Sequence, residues 1–151
     1  MISETSGGWV ELTNVLLSIK PRYAEAIMNG SKRYEFRKSV FRSDAVRDVF
    51  VYSTSPIQMI VGAFRMGKVI RDGPQNLWRM LHEYAGIDER DFFQYFEGRY
   101  KGFAIEVRSP QEFGDPIDPW ALDPDFVPPQ SFRYVNWVLS QEGHFRMNPT
   151  R

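Results

Sequence analysis

Residues Gly30-Ser31-Lys32-Arg33-Tyr34-Glu35-Phe36-Arg37 concentrate four charges in one short stretch. In an extended strand successive side chains alternate, so Arg33, Glu35 and Arg37 share one face while Tyr34 and Phe36 turn toward a core. A carboxylate between two guanidiniums stays ionised and holds their donors in place, and a guanidinium grips a phosphate through two parallel bonds. Lys32 lies at the strand mouth just after Gly30, where strict alternation has not begun, and can join the same site. Such a face is suited to an anion. It is equally the pattern of an exposed, salt-bridged strand.

A second hydroxyl-rich stretch is Ser53-Thr54-Ser55-Pro56. Hydroxyls and free backbone N–H groups on such a loop can cradle a phosphate or a base edge, although an ordinary turn ending in proline has the same composition. Gln130, Ser131 and Arg133 offer a possible helix cap and one more cation, or simply a docking C-terminal segment. Phe92, Phe93, Tyr95 and Phe96 recur at helical spacing, which favours core packing over base stacking. Trp120 lies in a proline-rich stretch and is read as a stacking residue or a hydrophobic lid. The two histidines, His82 and His144, stand far apart with no carboxylate spacing around either, and there is no cysteine. No metal site and no cofactor are therefore expected. Phosphate-binding Walker loops, nucleophile elbows and dinucleotide fingerprints are missing from the sequence.

The elements that must position these residues follow from periodicity. Asn14 to Ile19 is an apolar run of strand length, and Pro21 opens a helix that Gly30 closes. Strands are expected over Lys32 to Arg37, Asp48 to Tyr52 and Met59 to Ile70, with Gly62 and Gly67 as bulge or close-approach points. Leu77, Trp78, Leu81 and Tyr84 mark a helix from Pro74 to Gly86. Asp88 is the expected N-cap of another, which Gly98 stops. Gly102 to Val107 reads as the last clear strand. Pro110 to Pro129 reads as an extended loop, and Ser131 to Leu139 as a short helix or strand.

The chain has 151 residues and no net charge, which fits a single domain with a real core. Its expected boundaries are a flexible tail over 1–13, the domain over 14–140 and a C-terminal tail over 141–151. Neutrality hides an asymmetry. Eight basic residues face three acidic ones between Lys20 and Arg47, whereas eleven acidic residues face four basic ones between Glu83 and Asp125. A basic third attracts phosphate locally even in a neutral chain. No secretory leader or bilayer-length apolar run is seen, and a cytoplasmic address is expected. Strands interrupted by inserted helices suggest an α+β fold, a small mixed barrel with helices outside.

The pattern Gly30-x-Lys32-x-x-Glu35-x-Arg37, after Leu16-Leu17-Ser18-Ile19-Lys20-Pro21, resembles the signature of ASCH domains, which are PUA-like β-barrels. The likeness continues through Val51 to Pro56, Val61-Gly62-Ala63-Phe64, Phe93 to Gly98, Gly102 to Ile105 and Pro128 to Tyr134. It implies a cleft beside the barrel and a partner that is RNA or a nucleotide, with no membrane and no metal. Lys20, Lys32, Glu35, Arg37, Ser53, Ser55, Ser131 and Arg133 are the expected ligand-binding residues. Some bacterial ASCH proteins are acetylcytidine amidohydrolases using a lysine and a threonine three residues later. Here that position is Glu35, so this acyl-transfer route is not expected. The alternative is a hydrolase of RNA or a modified nucleoside, amidohydrolase- or ribonuclease-like, with Lys32 and Glu35 as candidate catalytic residues. A third reading makes the acidic half a protein-interaction surface.

Overall fold

The computed structural model describes residues 14–147; the expected N-terminal tail lies outside them. The chain opens with strand β1 (Asn14–Ile19), helix α1 (Pro21–Met28), the short strand β2 (Tyr34–Arg37) and strand β3 (Asp48–Ser53). The long strand β4 (Met59–Asp72) leads to α2 (Pro74–Leu81), a 3-10 turn at His82–Tyr84, and α3 (Glu89–Tyr95). A second long strand, β5 (Gly102–Ile117), is followed by α4 (Pro119–Leu122), β6 (Phe132–Val135), β7 (Trp137–Leu139) and β8 (Phe145–Met147).

Six strands form one sheet in the order β2-β5-β4-β3-β1-β6, with β7 and β8 paired separately. Strands β1 and β3 run parallel, and every other ladder in the large sheet is antiparallel. The fold is α+β as expected, but the sheet does not close: β2 and β6 are its two edges. The sheet is open, so the expected closed barrel is not confirmed.

Strand β1 explains its own unbroken apolar run. Val15, Leu17 and Ile19 enter a core beneath α1 with Ile27, Val51 and Phe64, while Leu16 enters a second core with Phe50, Tyr52 and Trp137. A strand buried on both faces has no polar alternation. The third core packs Phe36 and Ala104 against Leu77, Leu81, Phe92 and Phe96 from α2 and α3. Asp88 caps α3, accepting a 2.8 Å bond from the Asp91 N–H.

The proline-rich stretch is the main local correction. Pro110 and Pro116 lie inside β5, and Trp120 sits on α4, half-buried against Tyr52 and Phe126. Arg65 pairs with Arg108 and Ala63 with Gln111, so Ser109 and Pro110 fall in a register shift. Proline is tolerated where the ladder needs no N–H from it. Strand β8 likewise falls within the stretch expected to be a C-terminal tail. Both expected glycine bulges coincide with register shifts on β4, and a Cβ at Gly62 would press to 2.5 Å from the Gln111 carbonyl and 2.6 Å from Met28 Sδ.

Candidate functional site

Where the edge strand β2 approaches the ends of β1 and β6, a cleft of about 850 Å3 opens between α1 and α3. Its floor is a buried charged triad. Lys32, Glu35 and Arg37 have 2%, 6% and 9% of their surfaces exposed. The salt-bridged side chains are therefore buried, although β2 is an edge strand.

Arg37 is fully engaged by protein at its fork. Nη1 donates to Glu35 Oε2 at 2.9 Å and to the Ser18 carbonyl at 3.3 Å; Nη2 donates to the Ser131 carbonyl at 3.1 Å and to Ser131 Oγ at 2.9 Å. A guanidinium has five N–H donors, four of them terminal. These four contacts occupy the terminal set, so Arg37 is a brace between the two sheet edges rather than a free phosphate fork. Ser131 Oγ accepts this bond and keeps its own O–H to donate.

Lys32 Nζ donates to the Ala85 carbonyl at 2.6 Å and lies 4.0 Å from Glu35 Oε1. The rings of Phe36 and Tyr23 approach it with centroids at 5.0 and 5.2 Å. Burial pushes its proton affinity below that of an ordinary lysine, and Glu35 only partly opposes this. The stem of Lys32 is seated by Gly86, whose φ is +66° and where a Cβ would run into Lys32 Cβ and Cγ. That contact needs both a left-handed backbone and no side chain, which only glycine supplies without strain.

Exposed cations ring the mouth: Lys20 at the start of α1, Arg22 two residues on, Lys38 after β2 and Arg99 after α3. Arg22 Nη2 is tied to Tyr23 Oη at 2.8 Å and to Asp91 Oδ2 at 3.2 Å. The Tyr95 hydroxyl accepts from the Lys38 N–H at 3.2 Å, and Lys38 Nζ lies 4.8 Å from the Tyr95 ring centroid. Burial raises the Tyr95 phenol above its usual value; Arg37 pulls the other way. Six cations and two carboxylates, Glu35 and Asp91, line the cleft. A phosphate is favoured there.

Of the expected ligand-binding residues, Lys20, Lys32, Glu35, Arg37 and Ser131 line this cleft, with Gln130 beside them. Ser53, Ser55 and Arg133 do not. Ser53 is buried in β3, Thr54 takes its place at the cleft, and the Arg133 guanidinium lies over the Phe126 ring at 5.2 Å. Arg33 precedes β2 and stacks on Tyr84 at 4.4 Å, away from Glu35 and Arg37. Arg22, Tyr23, Tyr95 and Arg99 were not among the expected residues. Only the packing of α1 and α3 beside β2 brings them in. Among the described residues no group of three His, Asp or Glu is placed to hold a metal ion, and no helix is long and apolar enough to cross a membrane.

The ASCH domain model matches residues 17–116, the span that builds this cleft's framework from β1 through β5. The chain belongs to the ASCH domain family. An ASCH domain-containing ribonuclease of Zymomonas mobilis is 29% identical over 133 residues, covering 84% of this chain and 85% of that protein. The crystal structure of ASCH from Zymomonas mobilis matches with a TM-score of 0.73 at 26% identity, over 87% of this chain and 91% of that one. A single-residue variant of the same protein gives 0.75 at 25% identity, over 82% and 88%. Part of the large ribosomal subunit protein uL22 of Ureaplasma parvum is 26% identical over 105 residues, 69% of this ASCH chain but 33% of that protein.

Proposed function

We propose that this ASCH domain binds RNA or a nucleotide in the cleft between α1 and α3. The observation that carries this reading is the gathering of four exposed cations around a buried Lys32–Glu35–Arg37 floor. Lys20, Arg22, Lys38 and Arg99 meet phosphates at the mouth, where exposed cations release counterions on contact. Ser131, held by Arg37, and Gln130 donate to sugar or base edges. The similarity to a Zymomonas mobilis ribonuclease supports RNA as the ligand. Titration of a labelled RNA pool against the parent and a Lys20→Ala/Lys38→Ala/Arg99→Ala variant tests it. The parent binds and the variant loses about a hundredfold, since each phosphate contact removed weakens binding at low salt. Equal binding by both places RNA elsewhere.

A second reading, phosphodiester cleavage, is favoured by the lowered proton affinity of buried Lys32. As a neutral amine, Lys32 takes the proton of a ribose 2′-hydroxyl. The 2′-oxygen bonds to phosphorus, and the bond to the 5′-oxygen breaks with that oxygen taking a proton from water, whose hydroxide the Lys32 ammonium then neutralises. The products are a 2′,3′-cyclic phosphate and a free 5′-hydroxyl. End-group analysis of RNA incubated with the parent and with Lys32→Met decides it; the same ends from both proteins remove Lys32 from the chemistry.

A further inference from the structure

Tyr95 and Tyr100 differ from the phenylalanines of α3 and its C-cap. Phe92 and Phe96 are buried and Phe93 packs against the third core, whereas Tyr95 is 36% exposed at the cleft and Tyr100 is 92% exposed on the turn to β5. A singly exposed tyrosine is ordinary on a protein surface. Here the two flanking cations give it a context: Arg99 lines the cleft itself, and Lys101 is exposed on the other side.

The turn between the two tyrosines is tight. The Glu97 N–H bonds the Gln94 carbonyl at 3.2 Å, the Arg99 N–H bonds the Phe96 carbonyl at 2.9 Å, and Gly98 takes a left-handed φ of +80°. Five residues reach at most about 18 Å when extended, and this turn is shorter, so Tyr100 lies within a few nucleotides of the cleft. Cations interleaved with exposed aromatic faces are what single-stranded nucleic acid needs, the cations tracking phosphates and the rings stacking bases. Duplex RNA offers no free base face to such rings.

We propose that the cleft continues over the α3–β5 turn as a track for single-stranded RNA. Tyr95 stacks the base inside the cleft and Tyr100 stacks that of a neighbouring nucleotide outside it. Lys38, which covers the Tyr95 ring in the free protein, exchanges the ring for a phosphate as the base arrives. This rests on the RNA reading above and adds strand number and length to it.

The test compares the four nucleoside monophosphates, a randomised hexanucleotide and the same hexanucleotide in duplex, by fluorescence anisotropy and competition. The parent binds the single strand more tightly than either a monophosphate or the duplex. Tyr100→Ala weakens the single strand about tenfold, the loss expected for one stacked base, and leaves monophosphates within about twofold. Tyr100→Trp retains parental affinity. Tyr95→Leu weakens strand and monophosphate together. Tyr100 is exposed, and circular dichroism checks that its variants keep the fold. A parent that binds the single strand no better than a monophosphate or duplex overturns the track. So does a Tyr100→Ala variant indistinguishable from a parent that does bind. Binding of no RNA or nucleotide by the parent overturns the RNA reading itself, and the track with it.

Discussion

One nitrogen of Arg37 donates to both the carbonyl and the hydroxyl of Ser131, at 3.1 and 2.9 Å. The two residues belong to opposite edges of the open sheet, Arg37 ending β2 and Ser131 immediately preceding β6. A side chain thus bridges a gap that the backbone ladder leaves open, and the bridge is also the floor of the cleft.

Arg37→Lys keeps the charge and loses the fork. It leaves the Ser18 and Ser131 acceptors short of donors beside buried Glu35, and buried acceptors left unsatisfied in this way cost about 1–3 kcal/mol. Ser131→Ala costs about 1 kcal/mol through one lost hydrogen bond. Because the two share that bond, their double variant is less unstable than the sum, by about 0.5–1 kcal/mol. Urea denaturation of the four proteins checks this; strict additivity means that Arg37 does not hold Ser131.

Lys32 makes stability depend on pH in a defined direction. Its folded proton affinity is lowered by burial from the ordinary 10.5. Between the folded value and 10.5 the unfolded chain holds more protons, so stability rises with pH across that window. Tyr23, Tyr52 and Tyr95 have raised values and act oppositely above 10, so the comparison belongs below pH 10. In denaturation from neutral pH to 10, the parent gains stability relative to Lys32→Met. Parallel curves show that Lys32 is not held as a desolvated ammonium.

Gly86 and Gly98 make a matched pair. Both have positive φ, but a Cβ at Gly98 meets open space while one at Gly86 collides with the Lys32 stem. Gly98→Ala costs about 1 kcal/mol of backbone strain. Gly86→Ala costs about 2 kcal/mol or more, because Lys32 must move in a packed interior. RNA affinity falls further in Gly86→Ala than in Gly98→Ala at temperatures where both are folded. Equal losses in stability and affinity assign Gly86 a turn role alone.

Salt reports the number of phosphates at the cleft mouth. Single strands lose about 0.7 in log affinity per log unit of salt for each phosphate neutralised. Four contacts, one each from Lys20, Arg22, Lys38 and Arg99, give a slope of about −3, and each Ala substitution there makes it shallower by about 0.7. Affinity independent of salt contradicts phosphate binding at these residues.

The sequence alone determined most of the elements and the heart of the site. Apolar runs, capped helices and glycine stops are local signals, so β1, α1, β3 and α3 were legible, as was the association of Lys32 with Glu35 and Arg37 within one motif. Strand β5 was cut short because prolines signal a loop locally, whereas here they fall at register shifts in the pairing with β4. The tertiary structure decided what the charges do. Nothing near Arg37 in sequence announces that Ser18 and Ser131 take its donors, and Ala85 is 53 residues from Lys32. Tyr95 has the helical spacing of a core residue, and its place at the cleft depends on how α3 rotates to bury Phe92 and Phe96. Periodicity fixes which residues share a face, but burial and partnership arise from segments distant in the chain, and only folding brings those together.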